Sequence, residues 1–281
     1  MSVSDTFALG GDLEVRRMGF GAMRITGPGV WGEPDDTAGA RELLRAVVEA
    51  GVNLIDTADS YGPEVSERLI AEALYPYQED LVIATKGGLT RSGPGAWGRT
   101  GRPERLRRCC EDSLRRLRLE RIDLYQLHAV DPEVPIEDSV AALAELREEE
   151  KIRHIGLCNV SAAELDRARA VAPIVSVQNR YNIADRASED VLELCRDNEL
   201  GFLPWFPLAT GDLARPGGAL DDVAQAHSAS PAQVALAWLL QHSQVTLPIP
   251  GTSRIDHFQE NLQAAELELS EEEVATLDGL G

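Results

Sequence analysis

The stretch Val52-Asn53-Leu54-Ile55-Asp56-Thr57 is a short apolar run that ends on a carboxylate. An amphipathic stretch follows at 65–74, and Leu81-Val82-Ile83-Ala84-Thr85-Lys86 is a second apolar run, this one ending on a lysine. Short apolar runs alternating with helix-length amphipathic segments read as buried strands of a parallel sheet joined by crossover helices. The unit is β-α-β, and each strand delivers an ionisable side chain at its C-terminal end.

The same unit repeats in both directions. Upstream, a hairpin is expected at 7–15 around the turn Gly10-Gly11-Asp12, followed by a strand at 18–23. Residues 36–50 carry Leu43, Leu44, Val47 and Val48 at helical spacing, and Gly51 stops that helix. Downstream, strands at 122–128, 152–158, 174–178, 200–204 and 245–248 alternate with helices at 103–117, 136–149, 161–170, 188–197 and 231–241. Helices at 254–264 and 270–280 close the chain. Eight strand–helix units in 281 residues is the size of an α/β (β/α)8 TIM barrel, here with an N-terminal β-hairpin and extra C-terminal helices, as a single domain over 1–281. The rival is an open doubly wound sheet with a G-x-G-x-x-G loop after its first strand; Gly19-Phe20-Gly21-Ala22-Met23-Arg24 has Arg24 where the third glycine would stand.

Composition narrows the function. With 43% hydrophobic residues the chain can bury a core. Its net charge of -20 repels polyanions, so nucleic acid is not an expected partner. No apolar segment is long enough for a membrane span, and Met1 to Phe7 lacks the basic start and apolar core of a signal peptide. Cys109, Cys110, Cys158 and Cys195 show no C-x-x-C spacing, which fits a reducing cytoplasm. Of 27 basic residues only Lys86 and Lys151 are lysine, so a lysine here marks chemistry that arginine cannot perform. Lys151, beside Arg147-Glu148-Glu149-Glu150, reads as a surface charge. The arginine-rich segment 102–121 reads as a solvated helix face with i,i+4 pairs Glu104–Arg108, Glu111–Arg115 and Asp112–Arg116.

In a parallel barrel the strand C-termini meet on one face. Asp56, Lys86 and His128 end three successive strands, and Tyr61 lies in the loop after Asp56. Singly they are a cap, a surface charge, a core histidine and a half-buried aromatic. Together they form a coherent acid. A tyrosine titrates near pH 10, a neighbouring ammonium lowers that value, a carboxylate orients the ammonium, and a histidine can hydrogen-bond a substrate oxygen. Glycine-rich loops at 27–32, with Trp31, and 92–101, with Trp97, leave strand ends on that face, where they could close over a substrate; a third loop is expected at 209–218. The other histidines (His154, His227, His242 and His257) are not at strand ends, so no metal cluster is expected.

The motifs Leu54-Ile55-Asp56-Thr57-Ala58-Asp59-Ser60-Tyr61-Gly62, Ile83-Ala84-Thr85-Lys86, Asp123-Leu124-Tyr125-Gln126-Leu127-His128, Ile155-Gly156-Leu157-Cys158-Asn159 and Ile249-Pro250-Gly251-Thr252-Ser253-Arg254 resemble the aldo-keto reductase family, in order and over nearly the whole chain. The branch it resembles is bacterial and includes pyridoxal-type reductases. The resemblance implies a cytoplasmic carbonyl reductase, monomeric by default, that reduces an aldehyde or ketone with NADPH, and with NADH less readily. It implies Tyr61 as proton donor, Lys86 and Asp56 as its tuning partners, and His128 as the group orienting the carbonyl. Trp31, Trp97, Tyr61 and His128 would contact substrate.

The resemblance also implies cofactor positions. Gly21, Met23 and Asp56 would line the cofactor groove, and Asn159 and Gln178 would bind the nicotinamide carboxamide. Trp205 would stack on the ring where the family usually has tyrosine, and Phe206, Pro207 and Leu208 would follow it along the cofactor. Phe206 stands where the family often has a serine touching the pyrophosphate. Gly251, Thr252, Ser253 and Arg254 would hold the 2′-phosphate, with Arg254 supplying the charge that many members draw from lysine at position 251 and arginine at position 257. Glu260 and Asn261 would contact adenine. Two rivals are a Schiff-base lyase working through Lys86 and a nucleotide-sensing module on the same barrel.

Overall fold

The computed structural model describes residues 6–207 and 219–280. The hairpin of β1 (Thr6–Leu9) and β2 (Leu13–Arg16) pairs antiparallel. Parallel strands follow as β3 (Phe20–Gly21), β4 (Leu54–Asp56) and β5 (Val82–Gly87). After a separate hairpin of β6 (Leu89–Gly93) and β7 (Ala96–Arg99) come β8 (Ile122–Leu127), β9 (Ile152–Cys158), β10 (Ile174–Gln178) and β11 (Gly201–Phe202). The sheet order is β11–β10–β9–β8–β5–β4–β3, all parallel.

Helices α1 (Thr37–Glu49), α2 (Val65–Leu74), α3 (Pro103–Leu117), α4 (Ile136–Glu148), α5 (Ala162–Arg169) and α6 (Glu189–Asp197) cross between strands. An unexpected α7 (Ala219–Ala226) precedes α8 (Pro231–His242), and α9 (Ile255–Gln263) and α10 (Glu271–Asp278) end the chain. Ser161, Ser230 and Ser270 each start a helix with a reciprocal capping box. The loop expected at 209–218 lies outside the described residues. The glycine-rich segment 92–101 is not a plain loop, because much of it forms the β6–β7 hairpin.

The expected eighth strand does not form a ladder. Pro248 and Pro250 have no N–H to donate, so 245–250 pairs only through single bonds. Those bonds still close the barrel. Phe202 N donates to Val245 O and Leu247 N to Phe202 O, both at 2.8 Å, and on the other side Gly19 N donates to Pro248 O at 2.9 Å. Gly21 and Gly251 let the backbones touch: a Cβ on Gly21 would lie 2.6 Å from Ile249 O, and one on Gly251 2.7 Å from Gly21 O. At both positions a side chain would require the backbones to move apart. The (β/α)8 barrel is thus seven strands plus an extended eighth segment.

Side chains alternate in and out along each strand. Leu54, Val82, Ala84, Leu124, Leu247 and Ile249 fill the interior, and Leu9, Leu13 and Val15 of the hairpin belong to the same cluster, plugging the barrel floor. Two residues further along the inward rows stand Asp56, Lys86 and Gln126, so the alternation that builds the core also delivers the polar face. The Arg-rich α3 does not use the expected i,i+4 pairs. Arg107 reaches Glu145 and Glu149, Arg116 reaches Glu67, and Glu111 pairs with Lys151; only Asp112–Arg115 stays within the helix, at i,i+3. Packing against α2 and α4 offers these charges partners on neighbouring elements.

Arg17, 3% exposed, stitches the closure. Its Nη2 donates to Leu240 O at 2.8 Å, Ser243 O at 2.6 Å and Thr246 O at 3.2 Å. Arg17→Leu strips buried carbonyls of their donor and should cost about 3 kcal/mol. Urea unfolding of the variant checks this, and a loss below about 1 kcal/mol would show that the closure does not depend on it.

Candidate active site

Lys86 has no exposed surface and sits at the centre of the polar face. Its Nζ donates to Asp56 Oδ2 at 2.6 Å, Thr57 O at 2.8 Å and Tyr61 Oη at 3.4 Å. All three ammonium protons have acceptors. The other oxygen of Asp56 accepts from Gln126 Nε2 at 3.1 Å and Gln178 Nε2 at 2.9 Å. Burial works against the charge, but the Asp56 carboxylate together with Tyr61 and Cys158 outweighs it, and the Lys86 pKa lies above its ordinary value. Lys151, by contrast, is a surface residue paired with Glu111 and Glu149.

Tyr61 is 7% exposed. Its titration differs from the sequence expectation. Burial pushes the phenol up to about 12, and the pull of the Lys86 ammonium in the opposite direction only partly offsets this. Tyr61 is therefore a protonated phenol at neutral pH, and the ammonium 3.4 Å away is placed to stabilise a phenolate once the proton has left. His128 packs edge-on against the phenol ring with centroids 5.7 Å apart. Burial and then the Lys86 charge keep its pKa well below the ordinary histidine value, so the ring is neutral. His128 Nδ1 faces the Ser60 hydroxyl at 3.3 Å. The tautomer protonated on Nε2 accepts that bond and keeps an N–H for a substrate oxygen.

These groups open into a cavity of about 500 Å³. Asp56, Tyr61, His128 and Trp97 line it together with Gly21, Met23, Asn159 and Gln178. Trp205, Phe206, Pro207 and Gly251 extend the wall. Asn159 is in the left-handed region at φ 57° and is held from two sides: its Nδ2 donates to His128 O and its Oδ1 accepts from Trp205 Nε1, both at 2.9 Å. Cys158 is buried against Gln126, as a small packed residue would be.

Other expected site residues stand apart from this wall. Trp31 bridges to Gly62 beside the cavity without lining it. Thr252, Ser253, Arg254, Glu260 and Asn261 do not line it either. Thr252 Oγ1 accepts from Arg254 N at 3.1 Å at the start of α9. Arg254 Nε donates to Asp256 Oδ1 at 2.9 Å, so its charge already has a partner on the surface. Leu208 lies outside the described residues. The sequence reading missed Leu89 and Arg24, which also line the cavity, and Gln126 beneath it. Inward alternation from Leu124 would have found Gln126.

Behind the site, Glu67 is fully buried and accepts from Thr85 Oγ1 at 2.6 Å and Arg116 Nε at 2.7 Å. Asp59 lies beside this group, and its Oδ1 has no hydrogen-bond partner among the described residues. Burial first, then the charge of Glu67, pushes the Asp59 carboxyl up to about 7, against the weaker pull of the Cys109 thiol and of Arg116 and Arg105. A raised folded-state pKa contributes stability that is complete below the unfolded value of 3.8 and is lost as pH rises through about 7. Asp59→Asn should therefore gain on the wild type by roughly 2–4 kcal/mol between pH 4 and 8. Urea melts across that range measure the gap, and a gap independent of pH would refute the assignment.

Comparison with known proteins gives the family. The sequence profile of the Aldo/keto reductase family matches residues 17–281. An uncharacterized oxidoreductase of Schizosaccharomyces pombe is 51% identical over 96% of this chain and 88% of its own length. The pyridoxine 4-dehydrogenase of Escherichia coli is 44% identical over 99% of this chain and 98% of its own. The crystal structure of an aldo-keto reductase from Klebsiella pneumoniae in complex with NADPH superposes with a TM-score of 0.84 at 28% identity, covering 99% of this chain and 95% of that one. The chain belongs to the aldo/keto reductase family and is an NAD(P)H-dependent oxidoreductase.

Proposed function

We propose that the chain reduces an aldehyde or ketone to the alcohol with NADPH, and that Tyr61 gives the proton. The observation that carries this is the hydrogen-bonded line Asp56–Lys86–Tyr61 ending at an apolar cavity beside a neutral His128. His128 holds the substrate oxygen next to the Tyr61 hydroxyl, and as negative charge grows on that oxygen the phenol proton moves to it. The phenolate left behind faces the Lys86 ammonium, which Asp56 and the Thr57 carbonyl hold in place. Bound NADPH supplies the hydride that reaches the carbonyl carbon.

The residues present fit that cofactor. Trp205 offers an indole on the cavity wall, with Asn159 and Gln178 beside it for a carboxamide. Phe206 has no side-chain donor for a pyrophosphate. Arg24, exposed at the cavity edge and close to Gly251, supplies the positive charge there. Arg254 at the start of α9 meets the 2′-phosphate in competition with Asp256. A flat aromatic aldehyde suits the walls of Leu89, Trp97 and Phe206, and the likeness to a pyridoxine 4-dehydrogenase supports that choice. The lyase reading fares worse, because Lys86 is protonated and hydrogen-bonded with all three protons, whereas a Schiff base needs a free amine.

Tyr61→Phe should lower kcat by about 10²–10⁴-fold with NADPH affinity within about twofold, measured by absorbance loss and by fluorescence quenching. Near-normal turnover would remove Tyr61 from the mechanism, and a wild type without NADPH-dependent turnover on any carbonyl would favour the sensor. Arg254→Ala should weaken NADPH by about tenfold and leave NADH nearly unchanged, since only NADPH carries the phosphate. Equal losses for both cofactors would make Arg254 structural.

A further inference from the structure

Arg91 stands in β6, away from the reacting groups, yet its guanidinium joins three loops of the barrel face. Nη1 donates to Val30 O at 2.7 Å and Ser60 O at 2.9 Å. Nη2 donates to Gly29 O at 2.9 Å and Gly93 O at 3.4 Å, and Nε donates to Ala96 O at 3.2 Å. Five N–H donors meet five backbone carbonyls, the full capacity of the group. Its Cζ lies 3.6 Å from the ring centroid of Trp97 and 5.6 Å from that of Trp31. Among the described residues no carboxylate pairs with it.

The acceptors are not scattered. Gly29 and Val30 belong to the loop after β3, Ser60 to the loop after β4, and Gly93 and Ala96 to the hairpin after β5. Ser60 sets this network beside the candidate site: its carbonyl binds Arg91, its hydroxyl faces His128 Nδ1, and Tyr61 is the next residue. Val30, a β-branched residue at φ 56°, holds its strained conformation while its carbonyl accepts from both Gly62 N and Arg91. Trp97, which Arg91 stacks on, is part of the cavity wall.

We infer that Arg91 is a positioning residue for substrate. It fixes the Trp97 wall of the cavity, so that a flat carbonyl compound meets a preformed slot. This rests on the carbonyl-reduction reading above. Lysine cannot replace it, having three donors and no planar face to lie between indoles.

The test uses the full chain with NADPH and two substrates, benzaldehyde and propanal, in the wild type, Arg91→Lys and Arg91→Ala. For Arg91→Lys the KM for benzaldehyde should rise about tenfold with kcat within about threefold, and kcat/KM for propanal should change less than about threefold. The preference for the aromatic substrate then collapses while NADPH affinity stays within about twofold. Free guanidinium ion should restore part of the benzaldehyde KM in Arg91→Ala.

A purely structural role predicts a lower Tm and less active protein, but unchanged KM and unchanged preference in the folded fraction. That result overturns the inference. Hydrogen exchange supplies a readout that needs no turnover. The amides of Gly62 and Gly95 donate to Val30 O and Gly29 O, the carbonyls that Arg91 shares. In Arg91→Lys they should exchange at least about tenfold faster while β8 amides do not change. If the wild type reduces no carbonyl, the functional reading fails, and the exchange rates still decide whether Arg91 clamps the loops.

Discussion

The ion pair of Lys86 and Asp56 is the constraint on which the barrel face depends. Two opposite charges sit in the interior with almost no exposed area. Such a pair is tolerable only when every remaining proton and lone pair is satisfied, because removing one partner of a buried pair costs about 3–5 kcal/mol. Here the satisfaction comes from four strands: Asp56 from β4, Lys86 from β5, Gln126 from β8 and Gln178 from β10. A slip of one residue in any of these would turn its polar group outward and leave a charge uncompensated. The pair therefore works as a register pin, and the register of β4, β5 and β8 in turn sets where Tyr61 and His128 stand.

The same burial sets the protonation of each neighbour. Desolvation favours neutral forms, so Tyr61 keeps its proton and His128 stays uncharged. The Lys86 charge then acts unequally. It opposes a second cation on His128, and it favours an anion on Tyr61 without overcoming burial. One ammonium thus adds to burial in keeping the histidine neutral, and in the proposed reaction it would meet a phenolate only after Tyr61 had given its proton away. At rest Tyr61 and His128 are both uncharged beside the paired charges of Lys86 and Asp56.

Much of this was legible in the chain. Asp56, Lys86 and His128 stand out because in a parallel barrel a polar residue ending an apolar strand must face the common end, and the helix limits followed from proline, glycine and serine caps. What escaped notice required distances. The effect of an ammonium on Tyr61 depends on a 3.4 Å separation set against full burial, and spacing carries neither quantity. Arg91 stands just before the glycine-rich stretch 92–101, in a β6–β7 hairpin with no strong apolar alternation, and its acceptors are backbone carbonyls, which have no signature in sequence. The eighth strand read correctly as a position but not as a ladder, since two prolines remove the donors. Residues 252–261 matched a motif, yet they stand beside the cavity rather than on its wall.

The stitch made by Arg17 joins the beginning of the chain to its last fifth, with partners between 223 and 229 residues away. On a ribosome, synthesis at about 5–20 residues per second delivers the strands in order, so each new one can dock on the last. The first edge of the sheet must nevertheless wait, since β3 finds its second neighbour only in 248–250. Until that segment emerges, the sheet has two open edges and Gly21 has no Gly251 to lie against. The part of the cavity wall bounded by those two glycines is thus completed late, and a nascent chain that has reached β10 can hold the buried ion pair well before that wall is whole.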